Sequence, residues 1–221
     1  MKKVIFAFLL LVAASCNKSN HDRNIPSSEA KTGDTNSKNT SATKKELFRK
    51  FLTKFSPIGL PYVFRETGDS SADYKGLKKL NKNSIDTLFA KAEFFDETYC
   101  LGMLSDTSNF YALVFLQPAS EHYPVLATYT KEGKLIGQED LINGACGSDC
   151  GLVECTMTGI IMKDFSILSV DSIRYEYSCD TIGNPVPNSG ELIVIRKNGR
   201  VQRNGEILMD KEKRTETKIN P

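Results

Sequence analysis

The chain of 221 residues contains no tryptophan and only two histidines, His21 and His122. Absence of Trp removes the side chain best suited to stacking on a sugar face. With His21 in a polar N-terminal stretch, the remaining sequence holds His122 alone. A metal site built from two or three histidines of one domain is thereby excluded, and any hydrolase of the usual His-assisted kind would have to use His122. Long apolar runs are also missing. The longest, Val4–Ala14, has eleven residues; as a helix it spans about 16 Å, against a hydrocarbon core of about 30 Å. Nor is there an excess of one charge, with 29 Lys and Arg against 27 Asp and Glu. A near-neutral chain with an acidic middle argues against nucleic acid as a partner.

What is present begins with the first sixteen residues. Lys2 and Lys3 precede the apolar run, and small residues follow it in Val12-Ala13-Ala14-Ser15-Cys16. A basic start, a short apolar core and a small-residue end describe a secretory signal peptide. With Cys16 directly after it, this segment resembles the lipobox of bacterial lipoproteins, with Ala13 where that family usually has Leu. The resemblance implies cleavage at Ser15–Cys16, diacylglyceryl modification of the Cys16 thiol and further acylation of the new amino terminus. It places residues 1–15 in a signal peptide and the protein in the bacterial cell envelope, lipid-anchored at the outer membrane, on its periplasmic or surface face. Residues 16–43 then form the anchor and a disordered tether. Between 17 and 43 the aliphatic side chains are Ile25, Ala30 and Ala42, too few to offset the entropy of ordering the segment. As a random coil it spans roughly 30 Å.

Residues 44–221 read as one globular unit, mainly β, with charge unevenly placed. Residues 44–91 carry a net +6, residues 92–195 a net −11 and residues 196–221 a net +4. The polarity is either internal, basic elements lying beside acidic ones, or an acidic surface for a cation or a basic partner. Thr43-Lys44-Lys45-Glu46 fits a capping box. Leu47, Phe48, Phe51, Leu52 and Phe55 then form one apolar stripe, predicting an amphipathic helix packed on a sheet. The alternative is the same basic helix lying on anionic lipid. From Tyr99 the period becomes that of strands. Runs at 99–104, 110–117, 125–130, 134–142, 152–162, 165–177, 191–197 and 200–208 predict about eight antiparallel strands in a meander, as a curled sheet or a sandwich. Gly133 and the pair Asn198-Gly199 mark hairpin turns. Residues 210–221 read as a frayed polar end.

No motif predicts a cofactor. Gly68-Asp69-Ser70-Ser71 resembles the nucleophile block of the GDS-type esterases, but that family's Asp-x-x-His near the C-terminus is missing. Cys146-Gly147-Ser148-Asp149-Cys150 approaches the papain-type block, yet Asp149 breaks its spacing and no His follows. Asp69, Asp73 and the 149–154 region could offer oxygen ligands, but without the spacing of a calcium loop. Beyond Cys16, five cysteines remain, an odd number. In an oxidising compartment Cys146, Cys150, Cys155 and Cys179 are the disulfide candidates. Spacing suggests Cys146 with Cys150 and Cys155 with Cys179, leaving Cys100 as a free thiol. A thiolate metal site from Cys146, Cys150 and Cys155 is the competing arrangement.

The expectation is therefore a lipid-anchored binding or assembly module, held to the membrane, presenting an acidic sheet surface or edge to an envelope protein or a small ligand. Two other classes stay open. One is a hydrolase using a pair of carboxylates. The other is a carrier with an apolar cavity inside a curved sheet.

Overall fold

The change of period at Tyr99 coincides with the start of long strands, and burial alternates along Tyr99–Leu104, Leu152–Ile161 and Ser166–Tyr175 as a pleated backbone with one buried face requires. The computed structural model describes residues 36–67, 74–105, 108–119, 122–144 and 146–219. The lipobox-like segment with Cys16, residues 17–35 of the tether expected over 16–43, and residues 68–73 lie outside the described residues. In chain order, α1 (Asn36–Leu52) leads into β1 (Pro57–Ile58), β2 (Tyr62–Thr67) and β3 (Lys78–Lys79). Four strands follow: β4 (Tyr99–Leu104), β5 (Tyr111–Pro118), β6 (His122–Tyr129) and β7 (Leu135–Asp140). Then come β8 (Leu152–Ile161), β9 (Ser166–Tyr175), the short β10 (Ser178–Cys179) and β11 (Pro185–Val186), β12 (Glu191–Val201), β13 (Ile207–Met209) and β14 (Lys213–Lys218). The protein is mainly β, in several antiparallel sheets. The first sheet runs β1-β4-β5-β6-β7 with β3 also on β4; the second runs β13-β12-β9-β8-β2 with β14 also on β12; β10 and β11 form a small ribbon. Among the described strands, only β1 joins its neighbour in parallel.

Two buried clusters share the first sheet between them. Leu113 and Phe115 of β5, with Val125, Ala127 and Tyr129 of β6, meet Phe48 and Phe51 of α1 and Phe55 just beyond it. Phe48 sits at the centre, its ring 5.0 Å from Phe89, 5.7 Å from Tyr111 and 5.5 Å from Tyr129. On the opposite face Ala112, Val114 and Leu126 meet Ile161, Ile167 and Val201 of the second sheet. Five consecutive residues of β5, Ala112–Leu116, are therefore buried. At the C-terminal end of α1, Lys54 pairs with buried Asp86 and also donates to the Lys79 carbonyl at 3.1 Å. Ser84 caps the short 3₁₀ turn that carries Asp86.

The chain departs from its sequence pattern at three places. First, α1 begins at Asn36, so Thr43 lies inside the helix and does not cap it. Second, Asn198-Gly199 is no turn. Both residues sit within β12, paired with Leu168 and Ile167 of β9. A Cβ at Gly199 would collide with Met209 Sδ, so glycine there permits close approach, the other use of a strand glycine. The turn falls later, where Gln202 N–H donates to Glu206 O at 2.7 Å and Gly205 takes φ +86. Third, the polar end is not frayed: β14 pairs with β12 from Glu191 to Arg196. Because β13 reaches only Gly199–Val201, the rest of that edge is open, and backbone pairing orders a strand without apolar residues.

Phe51 is fully buried between helix and sheet. Phe51→Ala is expected to lower unfolding free energy by about 3–5 kcal/mol, read from urea titration followed by far-UV circular dichroism. A loss under 1 kcal/mol would mean that α1 is not part of the cooperative unit.

Candidate functional site

Of the cysteines named from sequence, Cys146 is joined to Cys155 and Cys150 to Cys179. The spacing-based pairing is thus corrected, and strand register is the reason. Cys155 lies on β8 opposite Ile173 of β9, whereas Cys179 lies beyond the end of β9, six residues past Ile173. The segment after β7 instead folds back over β8, bringing Cα atoms to 5.7 Å for Cys146–Cys155 and 6.1 Å for Cys150–Cys179, within bridging range. These bridges consume all three thiols of the competing metal arrangement. Cys100 is a buried free thiol, and burial pushes its pKa up to about 12. Among the described residues, no three His, Cys, Asp or Glu side chains converge as a metal-binding group.

His122 opens β6. Its ring packs edge-on against Tyr74 and Tyr99, both at 5.0 Å, and its Nε2 lies 3.3 Å from the Glu97 carbonyl. This is an aromatic packing role. The carboxyl with the most perturbed environment is Asp171 of β9, 1% exposed on the inner face of the second sheet. Its neighbours across the strands are Met157 and Ile195. Burial pushes its pKa up to about 6, opposed by the Asn143 backbone N–H, which donates to Oδ2 at 3.2 Å. Asp171 Oδ1 and Ser169 Oγ are buried without a hydrogen-bond partner among the described residues. Asp171 lines neither of two surface clefts. One, of about 730 Å³, lies between Phe110, Phe165, Arg200 and Arg203, with Asp164 paired to Arg200 at 2.9 Å. The other, of about 480 Å³, runs along β7 beside Glu139 and Asp140.

The outer face of the second sheet is the other feature to consider. Strand register puts Arg65, Thr158, Val170, Arg196 and Lys213 in one row across five strands. A second row contains Thr156, Ser172, Val194 and Thr215. Glu154, Arg174, Leu192 and Thr217 lie on one side, and Val63, Ile160, Leu168 and Asn198 on the other. Ile160, Leu168, Val170, Leu192 and Val194 are half-buried and belong to none of the three buried clusters. Val63 is 53% exposed. At the margin Arg200 is paired with Asp164 and adds no net charge, so the strand rows carry four cations, Arg65, Arg174, Arg196 and Lys213, against the carboxylate of Glu154. The strand rows of this face are therefore basic. Much of the acidic surplus of the middle segment sits outside the strands, in Glu93, Glu132, Asp149, Asp164, Glu176 and Asp180. Hydropathy and charge counts along the chain could not reveal this face, because its cations come from four strands far apart in sequence.

No protein-family model matches the chain, and no curated protein or solved structure matches it.

Asp171 has a testable pH signature. The folded protein holds its proton more tightly than the unfolded chain, whose carboxyl titrates near 3.9. Its contribution is fully present below pH 4 and is lost as pH rises through about 6, a decline of about 2–3 kcal/mol. Asp171→Asn should flatten that part of the stability profile, measured by urea unfolding between pH 4 and 7.5. Equal slopes in both proteins would show that the Asp171 environment does not govern it.

Proposed function

We propose that the protein is a lipid-anchored binding module of the bacterial envelope, tethered through Cys16, whose working surface is the outer face of its second sheet. In this reading the β-rich unit is a two-sheet sandwich with α1 packed on one side, leaving the far side for a partner. The observation that carries the proposal is that face itself: an apolar floor between cations, covered by no described element. Large exposed patches that mix apolar and charged side chains mark interaction sites more often than catalytic ones. The carboxylate-dependent hydrolase is the weaker reading. Its best candidate, Asp171, is buried away from both clefts, and a glycosidase-type site needs two carboxyls facing across a substrate-sized gap. A carrier is weaker still, since the space between the sheets is filled by side chains such as Leu126, Ile161 and Ile167.

Anchoring is tested apart from binding. Cys16→Ser should abolish incorporation of labelled palmitate and move the chain from the membrane to the soluble fraction. A chain that stays unlabelled yet sediments with membranes before any substitution would retire the lipid anchor.

A further inference from the structure

The basic sheet face has a feature that the fold alone does not call for. Arg196 of β12 and Lys213 of β14 are direct cross-strand partners on the outer face. Both are exposed, and neither makes an ion pair among the described residues. Like charges directly opposite each other destabilise a sheet. Arg65 ends the same row, four strand spacings from Lys213, or roughly 19 Å. Arg174 adds a fourth cation four residues beyond Val170 on β9, with Glu154 opposite it. Between the cations lie half-buried Val170, Val194, Leu192 and Leu168 with the hydroxyls of Thr156, Thr158 and Ser172. A repulsive pair kept on an uncovered, partly apolar sheet face spanned by cations points to an anionic counterpart that is itself extended. Neither of the two clefts reaches Arg65, Arg196 or Lys213; the larger touches the face only at its margin, through Arg200.

We infer that this face docks on an anionic phospholipid bilayer, the cations reaching headgroup phosphates and the short aliphatic side chains and threonines meeting the interface between them. The inference rests on the anchored-module reading and adds the partner to it. Each Lys or Arg near an anionic surface improves partitioning about fivefold, so Arg65, Arg196 and Lys213 together contribute on the order of a hundredfold. That is weak for a free protein. For a domain already held by a short flexible tether the membrane is present at an effective concentration of order millimolar, and weak docking suffices to fix its orientation. Long Arg and Lys stems lie along apolar surface while their heads reach the phosphates, which suits a face whose aliphatic floor is short.

Residues 17–221 retain every described element, and residues 35–221 form a compact unit of their own. This chain is titrated with vesicles of phosphatidylcholine alone and of phosphatidylcholine with phosphatidylglycerol, at low and high salt, and bound protein is read by co-sedimentation. Preference for the anionic vesicles, lost at high salt, is expected. The triple variant Arg65→Ser, Arg196→Ser, Lys213→Ser should lose on the order of a hundredfold in partitioning while melting no lower than the parent, since the repulsive pair is gone. The pair Arg49→Ser, Lys50→Ser on exposed positions of α1 should bind as the parent does, which separates this face from the basic helix. No preference for anionic lipid, an unaffected triple variant, or loss confined to the helix pair would each overturn the inference. So would retention on protein-containing native membranes without binding to pure lipid, which would identify an anionic protein instead. Palmitate labelling of the Cys16→Ser chain is scored separately, so the anchor and the docking face can fail independently.

Discussion

The structure depends on β5 being covered on both sides. A strand with five consecutive buried residues cannot face water on either face, so it needs a layer above and a layer below. The helix and the aromatic group around Phe48 supply one; the second sheet, through Ile161, Ile167 and Val201, supplies the other. Everything else is placed relative to that strand. The second sheet has spent its inner face on this contact, and its outer face is what remains for another molecule. Thr128 of β6 reinforces the arrangement. Its buried hydroxyl donates to the Gly205 carbonyl at 2.6 Å, fastening the first sheet to the turn that follows β12.

The same layering explains what sequence could and could not disclose. The apolar run 111–116 flanked by polar turns reads directly as a strand, and alternation in 152–161 and 166–175 shows two more. Asn198-Gly199 misleads because the dipeptide has two physical uses, and only the neighbour across the sheet, Met209, decides between them. Residues 213–218 are invisible to hydropathy, since the strand is held by backbone hydrogen bonds to β12 and every side chain is exposed. The disulfide pairing and the cationic face share one cause of obscurity. Both depend on register between strands, and register is a relation between distant segments, not a property of any one of them.

Charge tells a related story. The middle of the chain is strongly acidic and its flanks are basic, which suggests an acidic surface. Folding interleaves them: β2 from the first flank and β12 and β14 from the last carry Arg65, Arg196 and Lys213 onto the face of β8 and β9. The acidic middle supplies strands whose outward residues are mostly threonine, serine, valine and leucine, while much of its negative charge is left in turns. A regional charge count is therefore a poor guide to a surface built from non-consecutive strands.

The two disulfides cross in sequence, Cys150 lying inside the loop closed by Cys146 and Cys155, and Cys155 inside the one closed by Cys150 and Cys179. Loop closure is least costly for the nearest pair, so an unfolded chain oxidises most readily between Cys146 and Cys150, which the native structure does not join. Reaching the crossed pattern then requires thiol–disulfide exchange, and exchange proceeds through a thiolate. While β4 is unfolded, Cys100 can act as that thiolate and can equally scramble correct bridges. Once β4 is packed beneath the aromatic layer, burial holds Cys100 protonated far above neutral pH. Closure of the first sheet thus silences the one spare thiol among the described residues, so the chain no longer carries its own reagent for rearranging the bridges beside β8.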